Sequence, residues 1–225
     1  MNNGTLGQIY AVFKKDLLSE FRTRYAISAV LLFILTTITM IVFGTAHEKM
    51  STGVAAGILW VIMFFSAMTG LSKSFVSEEE RGTGFLLQLS ATSIAVFFGK
   101  LLFNILLSIA LNGTAIFLYF LLLNPVTVKS PEIFAWTAFL GSVGLAGATT
   151  IISAIIAKAN TKNALFPALS FPILLPLIMI GIEATVVGYE GKGSASMASS
   201  FQMMIAYCGI VITASYLLFD FVWKE

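Results

Sequence analysis

Six apolar stretches, each about as long as a helix must be to cross a lipid bilayer, constrain this chain more than any motif in it. They cover residues 25–46, 52–72, 94–123, 133–157, 164–187 and 197–222. About twenty helical residues span a hydrocarbon core. Lipid offers no partner to a bare backbone donor or acceptor, so such runs fold as helices. With 58% hydrophobic and only 11% charged residues, and a mean hydropathy of +0.94, the chain has too few polar side chains to clothe a soluble domain of 225 residues. The expected fold is all-α: one polytopic transmembrane domain of six spans covering residues 1–225.

Before the first span, residues 5–24 place Leu6, Ile9, Tyr10, Phe13, Leu17 and Phe21 at spacings of three and four, with Lys14, Lys15, Asp16, Glu20 and Arg22 on the other face. That pattern predicts a helix lying in the membrane interface. A polar, amphipathic lead without a small-residue cleavage site also argues against a cleaved secretory signal. Between spans two and three, residues 73–93 form the one long interruption. It opens on Glu78, Glu79, Glu80 and Arg81, turns through Gly82 and Gly84, and then sets Phe85, Leu86, Leu87 and Leu89 on a short helix outside the bilayer. Such a helix either rests on the headgroups or docks on a partner.

Within the spans, Gly53, Gly57 and Gly70 in the second and Gly141, Gly144 and Gly147 in the fourth predict close helix contacts. Lys100 starts the third span, where its stem can snorkel toward the interface. Asn104 and Asn112 must bond to another helix or line a wet path. Pro167, Pro172 and Pro176 predict a fifth span that is kinked or broken, bending around its neighbours or serving as a hinge. Glu183 reaches the outer interface or faces a polar cavity inside the bundle. Ten of the thirteen lysines and arginines fall on the side of the termini and the long interruption. Lys49, Lys129 and Lys192 fall on the other. The positive-inside rule therefore places both termini in the cytoplasm.

Catalytic constellations are missing. No glycine-rich phosphate loop ending in Gly-Lys-Ser/Thr occurs, so nucleotide hydrolysis is expected in a separate chain. One histidine, His47, and one cysteine, Cys208, exclude a zinc cluster and an internal disulfide. No metal site is expected, and His47 is at most a weak haem-ligand candidate. The serines and threonines of the spans lack a base to activate them. An enzyme is not expected, and nothing in the sequence points to nucleic acid.

Six spans, an interfacial lead helix and the loop Ser77-Glu78-Glu79-Glu80-Arg81-Gly82-Thr83-Gly84 followed by Phe85 to Ser90 resemble the permease subunits of type-2 ABC exporters. More narrowly, Phe13-Lys14-Lys15-Asp16-Leu17, Glu20-Phe21-Arg22 and the run from Phe166 to Leu177 resemble the haem exporter protein B (CcmB) family of cytochrome c maturation. The resemblance covers nearly the whole chain. It implies a bacterial inner-membrane subunit that docks a CcmA-like ATPase through Glu78, Glu79, Glu80, Arg81, Gly82, Gly84, Phe85, Leu86, Leu87 and Leu89. It also implies a CcmC-like haem-handling subunit, a small helper, a homodimer as an option, haem as cargo and ATP in the partner. Ala91 departs from the pattern, standing where many of these loops carry proline. Export of a lipid, peptide or drug, and a scaffold for a haem chaperone, are the alternative functions.

Overall fold

Helix dominates because apolar length and the absence of water leave the backbone no other way to satisfy itself. The computed structural model describes residues 3–45, 50–123, 126–158, 162–191 and 194–224, which contain nine helices and no strand. These are α1 (Asn3–Thr23), α2 (Tyr25–Gly44), α3 (Thr52–Leu71), α4 (Lys73–Glu80), α5 (Gly84–Ser90), α6 (Ser93–Leu123), α7 (Pro131–Ala157), α8 (Lys162–Glu190) and α9 (Ser194–Lys224). Six of them, α2, α3 running on into α4, α6, α7, α8 and α9, are long and apolar enough to cross a membrane. The chain is a multi-pass membrane protein.

The fourth span, α7, is the hub, packed against α3, α6, α8 and α9. Its glycines make this possible. A Cβ on Gly144 would sit 2.7 Å from Leu177, and one on Gly147 would sit 3.0 Å from Ile212. The Trp60 ring fills the notch left by Gly141 on α7 and Gly181 on α8, and its indole N–H donates to Thr185 Oγ1 at 2.9 Å. Polar side chains add the bonds that apolar packing cannot. Asn104 Nδ2 donates to Thr150 Oγ1 at 2.9 Å and Asn112 Nδ2 to Ser142 Oγ at 3.0 Å, both crossing from α6 to α7. Cys208 is a buried free thiol on α9.

The two ends of the bundle differ. One, the loop end, holds α4, α5 and the C-terminal turns of α9. At the other, the far end, Thr52 Oγ1 donates to the Glu190 carboxylate at 2.8 Å, and the Phe134 and Tyr189 rings stack with centroids 5.8 Å apart.

Several expectations are corrected here. The fifth span is not broken: α8 is one continuous helix through Pro167, Pro172 and Pro176. All three prolines are exposed, so their rings lie on the outer surface of the bundle. The interruption after span two is shorter than it reads, because Lys73–Glu80 is helical and extends α3 past Ser72. Gly53 and Gly57 have no atom within 4 Å of the Cβ position, and only Gly70 of that trio sits in a close contact, against Leu111. Glu183 is exposed on the outside of α8 rather than turned into a cavity. His47 lies outside the described residues.

Candidate functional site

The loop end is built from α1, α4, α5, α6 and the last turns of α9. Acidic α4 stops because Gly82 adopts a left-handed φ of 65°, a conformation glycine takes without strain. That turn folds Thr83 back over the helix it has just left. The Thr83 N–H donates to the Glu78 carbonyl at 2.9 Å, and its hydroxyl donates to Glu78 Oε2 at 2.6 Å. Helix α5 then leaves with two unlike faces. Leu87, 8% exposed, points into the core, while Phe85, Leu86 and Leu89 stand 68%, 63% and 71% exposed.

Behind its exposed face, α5 is fastened. Gln88 Nε2 donates to the Trp223 carbonyl at 2.6 Å, and Ser93 Oγ, just past the helix, donates to Asp220 Oδ1 at 2.6 Å. Phe75, Phe219 and Trp223 pack ring on ring beneath, with centroids 5.5–5.9 Å apart. The departure at Ala91 has a local reason: its φ of −143° lies outside proline's range, and its N–H donates to the Leu87 carbonyl.

Charge is concentrated one layer deeper. Helices α1 and α6 approach closely at Gly99, where a Cβ would lie 2.7 Å from Val12 and 2.9 Å from the Ile9 carbonyl. One turn beyond Val12 on the same face of α1, Asp16 meets Lys100, the residue after Gly99. Lys100 does not snorkel, as its position at the start of the span led us to expect; it is wholly buried. Its ammonium lies 3.0 Å from Asp16 Oδ2, 3.5 Å from Glu78 Oε1 and 2.6 Å from the Ser74 carbonyl, and sits 4.9 Å over the Phe75 ring. Lys15 closes the set, pairing with Glu78 and lying 3.3 Å from Asp16 Oδ1. Burial opposes the charge on Lys15, but Asp16 and Glu78 outweigh it and hold its pKa above the ordinary value.

Two cations and two carboxylates therefore form a neutral quartet joining α1, α4 and α6, with Thr83 tying it to α5. A buried charge is tolerated only when paired and hydrogen-bonded, and each member here has at least two such contacts. A cleft of about 590 Å³ opens beside the quartet between α1, α4 and α6, with Asn104 and Phe103 in its wall. Among the described residues, no group of three metal-ligating side chains exists.

The family model described as CcmB protein matches residues 7–221, which takes in α5 and the four residues of the quartet. The chain belongs to the CcmB family. Members of the CcmB family are membrane permeases of haem export and cytochrome c biogenesis, so a permease subunit is the class of protein described. No curated protein matches the chain.

For this CcmB-family chain the structure divides the residues picked from sequence. Phe85, Leu86, Leu89, Glu79, Glu80, Arg81 and Gly82 are exposed, whereas Leu87 and Gly84 are buried and Glu78 is turned into the quartet. Gly84 packs near Glu79, whose Oε2 would lie 3.1 Å from an added Cβ. Pro172, Pro176 and Glu183 lie apart from this site on α8, whereas Pro167 lines a shallow cleft with Lys73 and Val76 of α4. Sequence reading missed Lys15, Asp16 and Lys100 as a unit. The available signal was a lone lysine in an apolar run and an acid on an amphipathic helix.

Proposed function

We propose that this chain is the permease subunit of an ABC export complex for haem in cytochrome c maturation, coupled through α5 to a separate ATPase. The observation that carries the reading is the contrast across α5. Three large apolar side chains face outward from a helix pinned from behind by Leu87, Thr83 and Gln88. A rigidly held apolar face outside the membrane core is what a protein partner buries, and a few such anchors dominate an interface. Glu79, Glu80 and Arg81 at its edge offer the charge that orients docking.

In this reading the loop end faces the cytoplasm of a bacterial cell, at the inner membrane, with both termini on that side. ATP binds and is hydrolysed in the partner. Haem is cargo, handled together with a haem-binding membrane subunit and a small helper. Closure of the ATPase pushes α5, and the quartet passes the displacement to α1 and α6 as a rigid-body movement.

The test is the triple variant Phe85→Ala, Leu86→Ala, Leu89→Ala in the purified complex. It is expected to lower recovery of the ATPase subunit at least tenfold while this chain still accumulates in the membrane, since interface anchors of this kind are each worth about 2 kcal/mol or more. Full recovery of the ATPase with unchanged ATP turnover overturns the docking role. Labelling that shows these side chains inserted in lipid with the complex intact assigns α5 to the headgroup region instead.

A further inference from the structure

Glu183 is exposed on the outer surface of α8, in one helical stripe with Pro172, Pro176 and Met179. Its depth follows from a neighbouring helix. The 20 residues of α3 rise about 30 Å, the thickness of a hydrocarbon core. The first of them, Thr52, bonds Glu190, so Glu190 stands level with the far rim of that core. Glu183 lies two turns inward, about 10 Å at 1.5 Å per residue, farther than a glutamate side chain reaches back. A carboxylate at that depth is costly against lipid, and such residues in membrane helices are normally paired.

From this position and exposure we infer that Glu183 is a docking point for a transmembrane helix of a different chain, one presenting a lysine or arginine at the same depth. A second copy of this chain does not supply that group. A two-fold contact centred on the stripe sets two carboxylates face to face. Within the spanning helices α2, α3, α6, α7, α8 and α9, basic residues occur only as Lys100, Lys162 and Lys224, all at the loop end. The inference rests on the reading of the chain as one subunit of a multi-chain membrane complex and adds a contact separate from α5.

The experiment purifies the complex through a tag on this chain, carrying Glu183→Lys or Glu183→Gln. Glu183→Lys is expected to lower recovery of the companion membrane chain at least tenfold while the ATPase subunit is retained. Reversing the charge of a basic residue at matching depth in the companion is expected to restore it. Should Glu183→Lys fail to accumulate, the isosteric Glu183→Gln carries the test, with a threefold loss expected. Wild-type recovery of the companion in the charge-reversed variant, or in Glu183→Gln where that is the one obtained, overturns the inference. So does Glu183→Cys forming disulfide-linked pairs of this chain, because Cys208 is buried and the link then reports a second copy. The α5 variants test ATPase docking independently, so failure of one contact is distinguishable from failure of the other.

Discussion

Replacing Lys100 with methionine, nearly isosteric and uncharged, removes the ion that holds the quartet together. Two contacts disappear, to Asp16 Oδ2 at 3.0 Å and Glu78 Oε1 at 3.5 Å, together with the bond to the Ser74 carbonyl. Breaking a buried pair from one side typically costs about 3–5 kcal/mol, because the surviving charge stays buried. Here Lys15 still touches both carboxylates, so the cluster falls to one net negative charge instead of two isolated ones. The expected loss is therefore at the lower end, about 3 kcal/mol. Asp16→Asn added to Lys100→Met leaves Lys15 opposite Glu78, neutral again, and should recover at least about 1.5 kcal/mol, the coupling expected of groups in one network. Unfolding of the purified chain in graded SDS, followed by tryptophan fluorescence, reads both values. Trp223 beside Phe75 is a local reporter. If Lys100→Met unfolds at the wild-type SDS fraction, or if the two substitutions add without interaction, the quartet is not a structural unit.

Other substitutions separate packing from docking. Leu87→Ala should destabilise this chain by about 2–5 kcal/mol in the same unfolding assay, as for other buried leucines, whereas Leu89→Ala should leave unfolding unchanged and weaken only ATPase recovery. Gly181→Ala drives a methyl into the Trp60 ring and should cost about 1–3 kcal/mol with a shift in tryptophan emission; unchanged emission and stability would show that the notch is loose. Asn104→Leu deletes the bond to Thr150 and is expected to cost only about 0.6 kcal/mol, the average for hydrogen bonds between membrane helices, a value measurable by the same titration.

The spans were legible because their signal is length and hydropathy, both local, and α5 was legible because apolar residues outside a span stand out against charge. Contacts that depend on which helix lies beside which were not. Lys100 at the start of α6 reads as a snorkelling residue until α1, whose Asp16 is remote in sequence, is laid across it. Leu87 reads like Leu86 and Leu89, and only the direction of α5 over Trp223 separates inside from outside. The three prolines predict a kink or a break, and of these the fold shows no break. A proline removes one donor and crowds one carbonyl, effects that neighbouring helices and local adjustment absorb in a spanning helix. Glu183 was legible as an anomaly but not as a surface, since a single helix does not reveal which of its faces its neighbours cover.

If α5 is the docking helix proposed above, the loop end gives a push on that seven-residue helix a route to the membrane. A flexible connection would absorb displacement by turning its own backbone dihedrals, and the segment after α3 has little freedom to do so. Glu78 accepts from Thr83 on one side and pairs with Lys15 and Lys100 on the other, so α4, the turn and two further helices are tied at a single carboxylate. At its other end α5 is tied to α9 through Gln88, and Ser93, the first residue of α6, bonds Asp220 of α9. In that proposal these bonds pass movement of α5 to α1, α6 and the end of α9. Arg24, the one described non-glycine residue with positive φ, at 51°, stands where α1 meets α2. A single residue in a sparsely populated backbone region between two helices is where relative rotation costs least in lost contacts. In the proposed coupling α1 travels with α6, and Arg24 is the point at which α2 turns relative to them.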